Sequence, residues 1–153
     1  MKTLKSLALS GTMLLSSVLF SSNVSAQDQK TPQLTDPEIA SVAVTANKID
    51  IGYAEIALKK SHHKDIKNFA TTMKKDHAAV IKMAVDLVTK LKVTPKTNAV
   101  TKSLLDAATK EKAVLNAKKG KAFDKTYVDN EVAYHESTIK AVETILIPQS
   151  KNA

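Results

Sequence analysis

Between Asp36 and Pro148 the apolar residues recur at steps of three and four, in four runs, and nowhere alternate with a period of two. A three-four step keeps side chains on one face of an α-helix, whereas a half-buried strand needs alternation. The chain is therefore confined to helices that bury one stripe each. The punctuation agrees with this. Asp36-Pro37 supplies a capping carboxylate followed by proline at the first helical position, and Ser61 with Asp65 opens a second run. Val93-Thr94-Pro95 stops that run, Asn98 caps a third, Lys119-Gly120 closes it, and Pro148 ends the fourth. The spacing predicts helices over 37–60, 63–92, 99–118 and 121–147, with joints of two to six residues. Joints this short make each helix reverse on the one before. The expected fold is an all-α, up-down-up-down four-helix bundle over 36–147, with a tail at 148–153.

With 153 residues there is room for one domain, and the lack of cysteine excludes disulfides, thiolate metal sites and catalytic thiols. Ahead of the bundle, Lys2 and Lys5 precede an apolar stretch from Ser6 to Phe20, and Val24-Ser25-Ala26 offers small residues for cleavage. This is the layout of a secretory signal peptide over 1–26, followed by a flexible lead-in at 27–35. The stretch falls short of the roughly 20 apolar residues that cross a bilayer. The mature chain is thus expected in the periplasm or at the outer membrane, with no membrane span. The net charge of +8 over the full 153 residues is carried by lysine alone; there is neither Arg nor Trp. Without the arginine fork that reads guanine and clamps phosphate, nucleic acid is a poor partner, while an anionic envelope surface remains open to a Lys-rich module.

Polar residues interrupt the stripes. In the first run Asp50 falls between the rows Ile39, Val42, Ala46, Ile49, Tyr53 and Ala40, Val44, Ile51, Ala54, while Ser41 lies on the wet face. His77 sits mid-stripe among Phe69, Ala70, Met73, Val80, Leu87 and Leu91, with Asp76 at the edge. Asp124, Glu131 and His135 run down the face of Phe123, Tyr127, Val128, Val132 and Ile139, and the third run carries only Glu111. Counting about 1.5 Å per residue puts Asp50, His77 and Asp124 in one layer, with Glu131 and His135 two to three turns lower. A buried carboxylate costs several kcal/mol unless something pairs with it.

Three explanations stay open. The leading one is a non-enzymatic envelope protein whose core is a His–carboxylate hydrogen-bond network. The second is a divalent metal site for iron, manganese or zinc, with Asp50, His77, Asp124 and Glu131 as ligands and His135 orienting Glu131. The third is a small-ligand cleft.

Several segments carry a resemblance: Ala46 to Gly52, Lys67-Asn68-Phe69-Ala70, Met73, the pair Asp76-His77, Leu87 to Pro95, and above all Ala122 to His135 (AFDKTYVDNEVAYH). Together these resemble a ferritin-like bacterial family of unknown function whose members are labelled predicted outer-membrane or periplasmic proteins. The resemblance implies an exported helical bundle with Asp50, Asp76, His77, Asp124 and His135 at recurrent polar positions; the role expected of the non-enzymatic envelope protein is stress tolerance or assembly through partners. It implies no reaction. Ferritins pair Glu and His at i, i+3, whereas Glu131 and His135 are i, i+4, so the di-iron geometry does not carry over. The resemblance also implies a further helix after Pro148 in other members. Ending at Ala153 is expected to leave apolar surface for a homodimer to cover.

Overall fold

A computed structural model of the chain describes residues 31–152. The expected signal peptide and residues 27–30 of the lead-in lie outside the described residues. All regular structure among the described residues is helical: α1 (Asp36–Lys60), α2 (Lys64–Lys90), α3 (Ala99–Ala117) and α4 (Gly120–Ala141). A π-helical turn, Val142–Leu146, then leads into a short α5 (Ile147–Gln149). None of these helices is long and apolar enough to cross a membrane.

The helix ends differ from expectation in instructive ways. Thr35, not Asp36, caps α1, and the Glu38 carboxylate accepts the Thr35 N–H at 3.0 Å and its hydroxyl at 2.8 Å. Asp36 instead accepts the backbone N–H of Lys151 at 2.9 Å and the side-chain amide of Asn152, tying the tail to this end. Ser61 is buried under the end of α1, where its hydroxyl accepts the N–H of His63, the residue that caps α2. Asn98 caps α3 as expected, its Oδ1 accepting the Thr101 N–H at 3.0 Å. Gly120, at φ +53°, turns the chain into α4 rather than ending α3. Pro148 does not end the helical run. It has no N–H to donate and its ring crowds the preceding turn, so the helix widens there, with the Ile147 N–H reaching Val142.

The end of α2 forms a Schellman motif: Val93 N–H donates to the Val88 carbonyl at 2.8 Å and Lys92 N–H to that of Thr89 at 3.1 Å. Lys92 occupies the left-handed position at φ 55°, which disfavours any residue with a Cβ. Lys92→Gly is expected to stabilise the protein by about 1 kcal/mol. Urea unfolding with an unchanged slope reads this, and a midpoint that does not rise contradicts it.

α1 is the hub. It packs against α2, α3 and α4, whereas α2 and α4 barely touch. The main core joins Tyr53 and Ala57 of α1 to Ala70, Leu115, Phe123 and Tyr127. A smaller one joins Leu34, Val42 and Leu146. Leu34, within the expected lead-in, is thus buried, and its N–H donates to Gln149 Oε1 at 2.6 Å. Ser41, expected in water, is also buried, its hydroxyl 3.4 Å from that of Thr101. The stripes of α2 and α4 are only partly covered: Phe69 is 40% exposed, Leu87 53%, Val132 55% and Ile139 55%. Of these, Phe69 and Val132 line an open cleft between the two helices.

Candidate metal centre

Asp50 projects from α1 towards the gap between α2 and α4 and is fully buried. Its Oδ2 lies 3.4 Å from His77 Nε2 of α2 and 3.5 Å from His135 Nε2 of α4. The ligand atoms of the three residues all fall within 4.8 Å of one another. Neither Asp50 oxygen has a hydrogen-bond partner. Ligands bound at 2.0–2.2 Å around a tetrahedral ion stand about 3.4 Å apart, which matches both measured edges.

The far side of each imidazole fixes its tautomer. His77 Nδ1 lies 2.6 Å from Asn47 Oδ1. The Asn47 amide is itself oriented, because its Nδ2 donates to the Ala43 carbonyl at 2.8 Å. An acceptor therefore faces His77 Nδ1, which must carry the proton. His135 Nδ1 likewise donates to the backbone carbonyl of Glu131 at 2.8 Å. In the neutral imidazoles both Nε2 atoms then present lone pairs to one carboxylate. Three electron-rich atoms converge where only a cation or added protons reconcile them.

Glu131 stands beside this group. It is 2% exposed with neither oxygen bonded. Its Oε2 lies 3.8 Å from His135 Nδ1, the nitrogen turned away from Asp50. Burial first and the Asp50 charge second push its pKa up to about 8, against a small opposing pull from the Tyr127 hydroxyl. Burial also raises the Asp50 pKa, with His77 and His135 pulling the other way. Burial lifts the Tyr53 pKa to about 12 and raises those of Tyr127 and Tyr134, so these phenols stay neutral. The Tyr134 hydroxyl donates to the Ala46 carbonyl at 2.9 Å and its ring meets Tyr53 edge-on at 5.5 Å, pinning α4 to α1 next to His135.

Of the five residues singled out in the sequence, the fold brings Asp50, His77 and His135 to one point. Glu131 flanks it, and Asp124 is not in the group. Asp124 is half-buried, one turn from Phe123's end of α4, with its Oδ1 unpartnered. Asp76 is exposed, as are His62 and His63 at the α1–α2 joint, and Glu111 is half-buried. The layer count places Asp124 beside Asp50 and His77, but His135 takes that place. Lys96 N–H donates to the Pro37 carbonyl at 2.8 Å and Asn98 Nδ2 to that of Glu38 at 3.1 Å, so α3 starts level with the first turn of α1, where α2 ends. The count departs from the structure at the next joint, where Lys118 and Lys119 are both extended and set α4 apart from α3 along the bundle. Asn47 was missed. It precedes Asp50 by three residues, on the same face of α1, and that spacing was the available signal.

The family model described as Domain of unknown function (DUF4142) matches residues 21–153. No curated protein and no solved structure matches the chain. With all of the described helices inside that match, the protein belongs to the DUF4142 family.

Proposed function

We propose that this protein is an exported, ferritin-like up-down-up-down bundle that holds a divalent first-row metal ion between His77, His135 and Asp50. One observation carries the reading: a fully buried, unbonded carboxylate faced by two imidazole nitrogens at 3.4 and 3.5 Å, both with their other nitrogen already engaged. Imidazole with carboxylate suits zinc or iron, and manganese to a lesser degree. Asn47 and the Glu131 carbonyl act as the outer partners that orient metal-bound histidines. Three protein ligands leave a position for water, and a pocket of about 40 Å³ walled by Asn47, Asp50, His77, Tyr134 and His135 gives it room. The basic start, apolar stretch and Val24-Ser25-Ala26 support delivery to the envelope.

A second reading is a metal-free network in which one or both imidazoles are protonated against Asp50; the same two contacts favour it. Metal analysis of untagged mature protein, with melting before and after chelator, separates the two. The expected result is one ion per chain, and stabilisation by about 2.7 kcal/mol when free metal stands at a hundred times its Kd. His77→Ala is expected to abolish both. Metal-free protein whose midpoint ignores added zinc, ferrous iron and manganese would leave the protonated network.

A further inference from the structure

The gap between α2 and α4 is a second site, on the outer side of His135. It is a cleft of about 530 Å³, within the range that takes small molecules. Ile66, Phe69 and Met73 of α2 form one wall, and Val128 and Val132 of α4 the other. Phe69 is 40% exposed, Val128 44% and Val132 55%, so an apolar body placed here would cover surface that the fold leaves in water.

The polar groups of the cleft select the head of the ligand. Glu131 lines it, 2% exposed, with both carboxyl oxygens lacking any partner. Asp65 lines it as well, exposed at the first turn of α2. The remaining polar wall is His135, whose Nδ1 proton is committed to the Glu131 backbone carbonyl. In a chain with 23 lysines, none among the described residues lines this cleft. Two acids and no lysine around an apolar trough favour a cation over an anion, the proton that Glu131 otherwise keeps leaving to solvent as an ammonium group takes its place. An ammonium group brings three donors, more than the neighbouring Tyr127 hydroxyl offers the Glu131 carboxyl.

We propose that the α2–α4 cleft binds a compact apolar or aromatic primary amine, its ring between Phe69 and Val132 and its ammonium group on the Glu131 carboxylate. The site does not rest on the metal reading: Glu131 is outside the converging group of Asp50, His77 and His135, and Asp50 and His77 do not line the cleft.

Three probes with one apolar body test this on the mature chain: 2-phenylethylammonium, 2-phenylethanol and 3-phenylpropionate, followed by titration calorimetry and by methyl shifts of Val128 and Val132. The amine is expected to bind at least about tenfold tighter than the alcohol, and the acid weakest. Glu131→Gln should reduce the amine to the affinity of the alcohol. Val132→Trp, at an exposed position that tolerates bulk, should abolish binding of the amine while the helical spectrum stays unchanged. Equal affinity of the three probes, no binding of the amine at about 10 mM, or a preference that survives Glu131→Gln overturns the proposal. A dimer that sediments unchanged at saturating amine, with the cleft methyls insensitive to the probe, overturns it in favour of a second copy as the occupant. His77→Ala, which removes a ligand of the metal centre at a position that does not line the cleft, should leave amine affinity within about twofold. Wild-type protein that takes up no metal yet binds the amine refutes only the metal centre, and wild-type protein that takes up metal but not the amine refutes only the cleft.

Discussion

Glu131→Gln is expected to stabilise the metal-free protein at pH 8 by about 4 kcal/mol and to flatten its pH dependence. In the folded chain Glu131 keeps its proton up to about pH 8, whereas the unfolded chain releases it near 4.5. Between those values the folded state binds the extra proton, so stability is highest at the acidic end and falls as pH rises. The groups facing Glu131 do not reverse this. Asp50 adds negative charge, Tyr127 stays neutral, and the near nitrogen of His135 lies 3.8 Å away. Glutamine carries no charge to bury and removes the slope that Glu131 causes. The raised pKa of Asp50 has the same sign, so some slope survives in the variant. Urea unfolding with chelator at pH 5, 6.5 and 8 measures the difference. Parallel curves for the two proteins would show that Glu131 is ionised and well solvated in the fold.

Phe123→Ala is expected to cost about 3–5 kcal/mol. The ring is fully buried, stacked at 5° on Tyr127 with centroids 6.2 Å apart, and covered by Lys60 Nζ at 5.5 Å from its centre. It fixes the first turn of α4 to the main core. Its neighbours there include Ala57, Ala70 and Ala108, short side chains with no reach to fill the space left behind. A cavity therefore adds to the lost transfer free energy. The loss should appear in the denaturation midpoint with an unchanged slope. A change under about 1 kcal/mol would mean that the site collapses around alanine.

Much of the scaffold was legible because capping and periodicity are local. Asn98 caps its helix as its residue type demands, and Asp50 is buried where its position between two apolar rows puts it. Errors arose where the outcome depends on partners distant in sequence. The exposure of Phe69 and Val132 follows from the open cleft between α2 and α4, which no single stripe encodes. The convergence of His135 with His77 goes with the docking of the neighbouring Tyr134 on Ala46 and Tyr53 of α1, a matter of tertiary contacts. Pro148 reads as a terminator in a linear scan, yet the widened turn before it accommodates the ring.

The two imidazoles are steered by anchors of different kinds, and so they are unequally robust to mutation. His77 is held by the side chain of Asn47, which one nucleotide change can delete. His135 is held by a main-chain carbonyl one turn back on its own helix, and that oxygen persists whatever residue occupies position 131. Sequence drift would thus erode the α2 arm of the centre before the α4 arm.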